Sequence, residues 1–570
     1  MVASYRWSGL DFRCRSRRDS SKVSAVRYCL QSVVGVPRPT GLLPRTAMLF
    51  GSEVVMKDHE DVIVHDIRPL VRRLGKPPAE WQRQDLIELC LQQPIRVVNF
   101  RYPSLDGKLR ELRLPVNDPA YLERILAAGE RVDGSSLFPG LFDTGKSDIY
   151  AVPVYRWAFL NPWADDELDI VCRFADAQGQ PCSETPDNLL AAVAERLRSN
   201  TGFDLEALAE LEFYLILDRQ DDRFTGRAQR SYHQSAPYLH GRAIADEILR
   251  VASEVTGMVK YCHTEVGYID RLESDDPELD GKRVEQYELE LDLMPVEDLG
   301  CWMTVIRWLV RMIADRHGAS VTFVPKLDEG MAGSGLHLHL ALMRDGENLI
   351  RDSAGELSPE TVRMIGGLLG RAAPLTGFGN TVAASYLRLV PGQEAPTRIC
   401  WGQHNRSTLI RVPLDFATAE RMDRVMNPME SSPYPESLSR PTVEYRTPDG
   451  SALSHLLLAA VTLCAQEGLT SDEAADEAAE LEVAGDIRSQ PELLASLDEL
   501  PISAVAAADS LRQERAFFEQ GGFSPLLIDS VLEKLEAEAD HGLSARLHSL
   551  PAAERLKESR RLMHKDLHKH

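Results

Sequence analysis

The segment AELEFYL, residues 209–215, sets Glu210 and Glu212 two positions apart in an otherwise apolar run. Side chains two apart on a β-strand point to the same face, so a strand here presents both carboxylates on one side. Charges on a buried face are costly unless they are paired or bind metal. Alone, the segment fits either a buried, metal-binding strand or an edge strand with two exposed acids.

Four further segments carry pairs of polar residues, two positions apart in three of them and five apart in the arginine pair. They are QYELELDL with Glu288 and Glu290, GLHLHLAL with His337 and His339, HNRSTLIRVP with Arg406 and Arg411, and VEYRTP with Glu444 and Arg446. Carboxylates with one imidazole suit Mg²⁺ or Mn²⁺ better than zinc, because hard cations prefer oxygen ligands. Two such ions can clamp a transferring phosphoryl group, and arginines recognise carboxylate and phosphate. Together the segments predict one cavity in an ATP-dependent enzyme that activates a carboxylate.

The composition limits the classes of protein and partner. The chain has 570 residues, 44% hydrophobic and 26% charged, which is enough for at least two domains. Its net charge of -23 argues against nucleic acid or an anionic membrane as a partner. The nine cysteines form no CxxC pair, and the longest apolar runs are shorter than the roughly 20 residues of a membrane span. We expect a cytoplasmic protein with reduced thiols.

The first 47 residues differ from the rest of the chain. They are rich in Arg and Ser and nearly free of acids, and we predict that they form a basic, disordered leader. Such a composition is typical of an organelle transit peptide. It equally fits upstream sequence before a true start at Met48 or Met56, so both interpretations stay open.

Periodicity divides the remainder into two parts. Residues 60–184 show short strand patterns, such as 95–103 and 168–176, and SLDGK at 104–108 predicts a hairpin turn. Residues 185–570 alternate the polar strands with amphipathic helices and become purely helical from about residue 450. We therefore expect two domains, 60–184 and 185–570.

The motifs and their order resemble the glutamine synthetase family. Over about residues 60–470 the resemblance is carried by VDGSSL at 132–137, AELEFYL, CHTEV at 262–266, EQYEL at 285–289, KLDEGMAGSGLHLHL at 326–340, ASYLRLVPGQEAP at 384–396, HNRSTLIRVP and VEYRTPD at 443–449. It implies an α+β fold, in which an N-terminal β-grasp-like domain precedes a catalytic domain with a curved antiparallel sheet flanked by helices. It also implies a homo-oligomeric ring, a decamer or dodecamer, with active sites between subunits.

Carried over residue by residue, the resemblance implies two or more ions of Mg²⁺ or Mn²⁺ per active site and implies ATP as a co-substrate. One ion would be bound by Glu212, Glu265 and Glu288, and the second by Glu210, His337 and Glu444. The nucleotide phosphates would be contacted by His339, Arg406 and Arg411. Arg406 would also stabilise the transferring phosphoryl group.

The resemblance implies glutamate and ammonium as the remaining substrates. The α-carboxylate of glutamate would be held by Arg388, its amino group by the Gly333 carbonyl, and its γ-carboxylate by Arg446. The ammonium pocket would consist of Asp133, Ser136, Tyr232 and Glu265. In that pocket Asp133 would act as the base from a neighbouring subunit, and Glu394 would close the site over the acyl phosphate.

These roles imply a glutamate–ammonia ligase that forms glutamine through a γ-glutamyl phosphate. The carboxylate first attacks the γ-phosphate of ATP, and ammonium must lose a proton before it can attack. A γ-glutamyl-amine ligase, using a polyamine or another amine, is the alternative. A non-catalytic structural relative is the third interpretation.

Several positions depart from the family pattern. Where the family has Asn, Ser, Lys and Arg, this chain has Ala332, Ala341, Leu387 and Thr442. These changes affect substrate and nucleotide contacts rather than metal ligands, and they leave room for the amine-ligase alternative. Two insertions, 266–284 and 423–439, are either surface loops, which tolerate additions, or elements that reshape the site entrance or a subunit contact.

Overall fold

The computed structural model describes residues 65–220, 223–391, 395–433 and 440–569. The predicted leader, residues 1–47, lies outside the described residues, and so does Glu394. Within the described ranges the chain forms two β-sheets and a large set of helices.

The first sheet is mixed and lies in the N-terminal part of the described chain. Its five strands there are β1 (Val97–Pro103), β2 (Leu109–Pro115), β3 (Glu130–Asp133), β4 (Asp148–Leu160) and β5 (Glu167–Ala175). Their order is β2-β1-β5-β4-β3, with β1 and β5 parallel and the other neighbours antiparallel. This arrangement confirms the β-grasp-like fold that the resemblance implies.

The turn SLDGK sets the β1–β2 hairpin of this sheet. Gly107 adopts a φ of 77°, a left-handed conformation that glycine tolerates without strain. The Asp106 carboxylate accepts hydrogen bonds from the Lys108 backbone N–H at 3.1 Å and from the Ser104 hydroxyl at 2.5 Å. These local contacts close the predicted turn.

Short helices accompany the first sheet. They are α1 (Pro69–Leu74), α2 (Arg83–Gln92), α3 (Pro119–Ala128) and α4 (Gly134–Leu137). Helix α3 begins after Asp118, whose carboxylate accepts the Tyr121 N–H at 2.8 Å and so caps the helix. Its apolar side packs against β4.

The second sheet is curled into a half-barrel. Its ten strands in the described chain are β6 (Asp204–Leu217), β7 (Val259–Ile269), β8 (Arg283–Leu291), β9 (Met294–Pro295), β10 (Ser320–Thr322), β11 (Leu336–Arg344), β12 (Glu347–Asn348), β13 (Trp401–Gln403), β14 (Ile410–Val412) and β15 (Val443–Tyr445). The main order is β13-β14-β15-β11-β6-β8-β7, with β9 and β10 paired to β6 and β12 to β11. The predicted curved antiparallel sheet is confirmed, except that β13 and β14 are parallel.

Helices pack against this sheet and against one another. The first eight of these helices in the described chain are α5 (Pro186–Thr201), α6 (Arg242–Thr256), α7 (Val296–Arg316), α8 (Pro359–Leu369), α9 (Ala372–Gly379), α10 (Ala383–Arg388), α11 (Ala419–Met426) and α12 (Ser454–Thr470). The acids Glu297 and Asp298 lie in the first turn of α7, where the helix dipole favours negative charge. Asp298 also accepts the Trp157 indole N–H at 2.7 Å, which joins α7 to the first sheet.

The chain after β15 is helical, as predicted from about residue 450. Helix α12 is buried along most of its length and packs against α5 and α8. It is followed by α13 (Ala474–Glu480), α14 (Pro491–Ser496), α15 (Ala504–Gln513), α16 (Arg515–Gln520), α17 (Pro525–Glu536), α18 (Leu543–Ser549) and α19 (Ala552–His564). In the described part of the chain, no helix has the length and apolarity that crossing a bilayer requires. The domain limits 60–184 and 185–570 stay a prediction.

Candidate active site

The polar residues of neighbouring strands lie on one face of the second sheet because the strand registers align them. On β6, Glu210 lies opposite His337 of β11 on one side and Glu290 of β8 on the other. Two residues along, Glu212 lies opposite Glu288. Positions two apart on a strand share a face, so these side chains point to the same side. We call the four carboxylates, Glu210, Glu212, Glu288 and Glu290, the acidic row.

The acidic row continues into basic and imidazole groups at both edges. Glu288 lies opposite His263 of β7. On the other side, Glu444 of β15 lies between His339 of β11 and Arg411 of β14. The sheet therefore presents acids at the centre, flanked by groups that can carry positive charge.

One group of ligand atoms combines Glu210, His337 and Glu444, with all three atoms within 4.8 Å of one another. Nδ1 of His337 lies 2.7 Å from Oε2 of Glu210 and 3.7 Å from Oε1 of Glu444. Burial raises the pKa of Glu210, but the imidazoles of His339 and His337 outweigh this effect, so its pKa lies well below the usual range. The structure thus brings together the three residues that the resemblance implies for one ion.

A second group consists of His263, Glu265 and Glu288, again with ligand atoms within 4.8 Å of one another. Nε2 of His263 lies 3.1 Å from Oε1 of Glu288, and Nδ1 lies 3.7 Å from Oε1 of Glu265. His263 was not among the site residues predicted from the sequence. Its spacing of two from Glu265 in CHTEV was the available signal, the same one that identified the other strands.

Glu212 is not one of the three residues of that second group, although the resemblance implies it as a ligand beside Glu265 and Glu288. Its Oε2 accepts a hydrogen bond from Gln286 Nε2 at 2.7 Å. Gln286 also donates to the Gly333 carbonyl at 3.0 Å. Gln286 was missed by the sequence analysis, and it connects the acidic row to the loop that precedes β11.

The acidic row carries more negative charge than its protein surroundings neutralise. Burial raises the pKa of Glu288 well above its usual range, and the charges of Glu210 and Glu212 raise it further. Burial also raises the pKa of Glu290, although Lys260 Nζ donates to its Oε1 at 2.5 Å. Among the described residues, the other oxygen, Oε2, has no hydrogen-bond partner. A bound cation would remove this electrostatic cost.

The opposite edge of the site holds basic groups around Glu444. Arg411 Nη1 donates to Oε2 of Glu444 at 2.8 Å, and Arg446 Nε donates to Oε1 at 3.0 Å. Burial opposes ionisation of Glu444, but Arg446 and the imidazoles of His339 and His337 together outweigh this effect and lower its pKa. His339 is buried, with its Nδ1 at 2.9 Å from Thr442 Oγ1 and its Nε2 at 3.0 Å from Glu210 Oε1. Thr442, which replaces the Arg of the family pattern, therefore contacts His339.

A cavity of about 280 Å³ opens beside the acidic row. It is lined by Glu212, Gln229, Val266, Gly330, Ala332, Gly333, His337, Arg388, Ala395 and Arg488. Two of these, Gln229 and Arg488, were not found from the sequence, since they lie in segments without a repeating pattern. The cavity joins acidic-row residues to the cationic Arg388.

Arg388 is held rigidly at the cavity wall. It is buried, and its Nη1 donates to the Thr447 carbonyl at 2.8 Å. Its Nη2 lies 3.4 Å from Nε2 of His337. A guanidinium fixed in this way is preorganised for a carboxylate.

The residues implied for the ammonium pocket lie in two places. Tyr232 packs edge-on to His263, with ring centroids 5.6 Å apart, and His263 is next to Glu265. Asp133 and Ser136 are exposed residues of the first sheet and α4, and the Ser136 hydroxyl donates to Oδ2 of Asp133 at 2.5 Å. Hydrogen bonds from Ser136 and Ser135 hold the pKa of Asp133 well below its usual range.

Arg406 lies at the rim of the site, on the turn between β13 and β14. Its side chain is exposed, and its carbonyl accepts a hydrogen bond from Arg446 Nη1. Burial raises the pKa of Tyr232; the Glu265 carboxylate adds to this rise, whereas the charge of Arg406 opposes it. Arg406 is therefore placed to contact a ligand from the solvent side.

The donor set fits divalent cations. Each of the two groups offers two carboxylates and one imidazole, the oxygen-rich mixture that Mg²⁺ and Mn²⁺ accept. The unpartnered oxygen of Glu290 and the raised pKa of Glu288 both indicate missing positive charge. The curled sheet and this donor set agree with the class that the sequence motifs predict, an ATP-dependent ligase that activates a carboxylate.

The family model described as glutamine synthetase, catalytic domain, matches residues 183–545. The match spans more than half of the chain, so the chain belongs to the glutamine synthetase family. The glutamine synthetase of Pyrococcus horikoshii is 29% identical over 380 residues, which cover 66% of this chain and 74% of that protein. The glutamine synthetase of Aquifex aeolicus is 24% identical over 484 residues, covering 81% and 96%.

Solved structures support the fold. The structure described as apo GmaS without ligand has a TM-score of 0.63 at 20% identity, covering 83% of this chain and 98% of that chain. The cryoEM structure of Plasmodium falciparum glutamine synthetase has a TM-score of 0.64 at 18% identity, with the same coverage. At these identities the likeness concerns the fold alone.

Proposed function

We propose that this protein forms glutamine from glutamate and ammonium, with ATP converted to ADP through a γ-glutamyl phosphate. The observation that carries the proposal is the pair of ligand groups, Glu210–His337–Glu444 and His263–Glu265–Glu288, beside a cavity that contains Arg388. Cations and a fixed guanidinium are what a site needs to hold an amino-acid carboxylate against a nucleotide phosphate. Family membership gives the reaction class.

The proposed roles in substrate binding follow the positions of the cavity residues. Arg388 would hold the α-carboxylate of glutamate, and the Gly333 carbonyl would accept a hydrogen bond from its amino group. Arg446 would face the γ-carboxylate from the β15 side. With Ala332 in place of the family Asn, the amino group would lack that Asn contact and would rely on the Gly333 carbonyl, which already accepts a hydrogen bond from Gln286.

The proposed metal ligands are the two groups, with Glu212 as a further ligand of the ion at Glu265 and Glu288. Mg²⁺ or Mn²⁺ held by these residues would act as a Lewis acid and neutralise charge on the phosphate oxygens. His339, Arg406 and Arg411 would contact the nucleotide phosphates. A γ-carboxylate oxygen then attacks the γ-phosphorus, the bond to the β-phosphate oxygen breaks, and ADP leaves, while Arg406 stabilises the equatorial oxygens.

The second step requires a neutral amine at the acyl carbon. We propose that Asp133 of a neighbouring subunit, with Ser136, completes a pocket with Tyr232 and Glu265 in a decameric or dodecameric ring. The Asp133 carboxylate accepts a proton from ammonium, and the resulting ammonia attacks the acyl carbon. The bond from that carbon to the phosphate oxygen breaks, and the nitrogen gives up a second proton to the departing phosphate, which leaves glutamine. Glu394, which lies outside the described residues, would cover the acyl phosphate.

A γ-glutamyl-amine ligase is the second candidate because aromatic rings adjoin the proposed acceptor pocket. Rings of Tyr232 and His233 stack with centroids 4.2 Å apart, and Tyr261 lies 5.4 Å from His263. Tyr232 and Tyr261 are 50% and 40% exposed, so their rings are accessible. Exposed rings next to carboxylates can bind an organic ammonium group through cation–π contacts.

Measurement of ADP release with glutamate, ATP and Mg²⁺ tests the proposal. The acceptor is ammonium in one series and a panel of mono-, di- and polyamines in the other, and the product is identified by mass spectrometry. Glutamine formation with ammonium supports the proposal. Turnover only with an organic amine replaces it by the second candidate, and the absence of metal-dependent turnover with every acceptor favours a non-catalytic relative.

A further inference from the structure

The loop between β10 and β11, residues 323–335, forms one wall of the substrate cavity. It contributes Gly330, Ala332 and Gly333 to the lining. The Gly333 carbonyl, which accepts a hydrogen bond from Gln286 at 3.0 Å, is the group assigned above to the amino group of glutamate. A shift of this loop would therefore change the binding of glutamate directly.

The C-terminal helix α19 is joined to this loop by a two-pronged ion pair. Arg560 Nε donates to Oδ1 of Asp328 and Nη2 donates to Oδ2, both at 3.0 Å. The two side chains are only 18% and 13% exposed. Bidentate pairs of this kind are stronger and more specific in geometry than single contacts. The pair thus fixes the loop five residues before Gly333.

Neighbouring residues extend the same contact. The carboxylate of Glu329 accepts hydrogen bonds from Ser559 Oγ at 2.7 Å and from Arg555 Nε at 3.2 Å. Nε2 of the buried His564 lies 2.8 Å from the carbonyl oxygen of Leu327. Helix α19 therefore contacts three consecutive loop residues, 327–329.

The acidic insertion, residues 266–284, completes the arrangement. Arg560 Nη1 donates to Oε2 of Glu273 at 2.6 Å, and Nδ1 of His564 lies 2.9 Å from Ser274 Oγ. The insertion buries Leu272 and Leu279 in an apolar cluster shared with Leu327 and Leu567. The insertion is thus a packed element and not only a surface loop.

Helix α19 follows the stretch that the family model matches, which ends at residue 545. We propose that α19 is a clamp on the substrate loop, and that Arg560 is a positioning residue that acts through Asp328 on the Gly333 carbonyl. The inference rests on the proposed use of glutamate as a substrate. Without the clamp, residues 327–333 can move away from the cavity, which weakens glutamate binding more than it alters the chemistry.

Steady-state kinetics of Arg560→Ala and Asp328→Asn test the clamp. We expect the KM for glutamate to rise about ten-fold in each variant, with kcat within about two-fold of wild type and the KM for ATP unchanged. The double variant should be no worse than Arg560→Ala, because Arg560→Ala alone already removes the contact with Asp328. The matched control is Arg561→Ala on the same helix, since Arg561 is 76% exposed and outside the pair; it should behave as wild type.

Hydrogen exchange of residues 323–335 provides a readout that does not depend on turnover. Faster exchange of this segment in Arg560→Ala, but not in Arg561→Ala, supports the clamp. This result would hold even if the wild-type protein showed no glutamate-dependent turnover. That absence of turnover would overturn the proposed function but not the clamp. Unchanged exchange together with an unchanged KM overturns the clamp. If Arg560→Ala does not fold, Arg560→Lys replaces it, because Lys cannot form the bidentate contact with Asp328. We then expect a smaller rise in the KM for glutamate. Wild-type kinetics and wild-type exchange in this variant would contradict the inference.

Discussion

Oε2 of Glu210 lies 2.7 Å from Nδ1 of His337 across the β6–β11 ladder. Its other oxygen, Oε1, lies 3.0 Å from Nε2 of His339. Both contacts follow from strand pairing, since Glu210 and His337 are register partners and the histidines are two residues apart. A period-two pattern on two adjacent strands is thus enough to place an ionised carboxylate between two imidazoles.

Glu212→Ala should lower turnover at least about 100-fold. Loss of a residue that only hydrogen-bonds to a metal ligand lowers activity by about 10- to 100-fold, and loss of the metal ligand itself should lower it further. The control is Glu206→Ala, on the same strand but six residues away, which should retain most activity. Activity near wild type in Glu212→Ala at saturating Mg²⁺ would show that the metal assignment is wrong.

His263→Ala should weaken Mn²⁺ binding to the free protein at least about ten-fold. His263 supplies the only nitrogen of the second ligand group, so its loss leaves two carboxylates to bind the ion. Isothermal titration with Mn²⁺ measures the change. His317→Ala, which removes a partly exposed histidine paired with Glu247, is the control. Equal affinities for both variants would exclude His263 as a ligand.

The fold was largely predictable because alternation and helical periodicity are local properties. The strand patterns at 95–103 and 168–176 correspond to β1 and β5, and the polar pairs lie on strands of the second sheet, whose curvature was implied by the family resemblance. Strand β3 was missed because its four residues, Glu130–Asp133, are too few to show alternation. The pairing of β7 with β8 shifts register between Thr264 and Tyr268. Strand β7 also carries His263, which was not predicted as a site residue.

Contacts between distant segments could not be predicted. Arg488 lines the cavity from a short turn after α13, and nothing in its local sequence indicates this position. Helix α19 has the composition of a solvated helix, yet Ser559 and Met563 are buried. The role of insertion 266–284 was left open between a surface loop and a functional element, because Leu272 and Leu279 are buried by residues from several other segments, which include Tyr214, Leu327 and Leu567.

Asp133→Asn and Glu212→Ala should complement each other if active sites form between subunits. Each variant alone should be nearly inactive. When the two are unfolded, mixed in equal amounts and reassembled, about a quarter of the sites should combine an intact Asp133 with an intact Glu212. Recovery of activity in the mixture, absent when either variant is reassembled alone, is the expected result. A mixture as inactive as its components would contradict a shared site.

Lys326→Met should stabilise the protein at neutral pH, and the gain should shrink at high pH. Burial, with a smaller effect of Arg388, lowers the pKa of Lys326 to about 8. Its folded pKa is below its unfolded value of about 10.5, so the stability contribution of wild-type Lys326 is full above pH 10.5 and is lost as pH falls through 8. The variant should therefore gain up to about 3 kcal/mol at pH 7.

Denaturant unfolding at pH 7 and pH 10 checks this prediction. The control is Lys557→Met, because Lys557 is 73% exposed and its substitution should have little effect at either pH. A difference between wild type and Lys326→Met that is the same at both pH values would show that the ammonium group is not penalised by burial.

Anomalous diffraction at the manganese edge, from crystals of the full chain grown with Mn²⁺ and an ATP analogue, would locate the bound ions independently of activity. We expect one peak among Glu210, His337 and Glu444 and another among His263, Glu265 and Glu288 in each subunit. An acidic row without any peak at saturating Mn²⁺ would contradict this prediction.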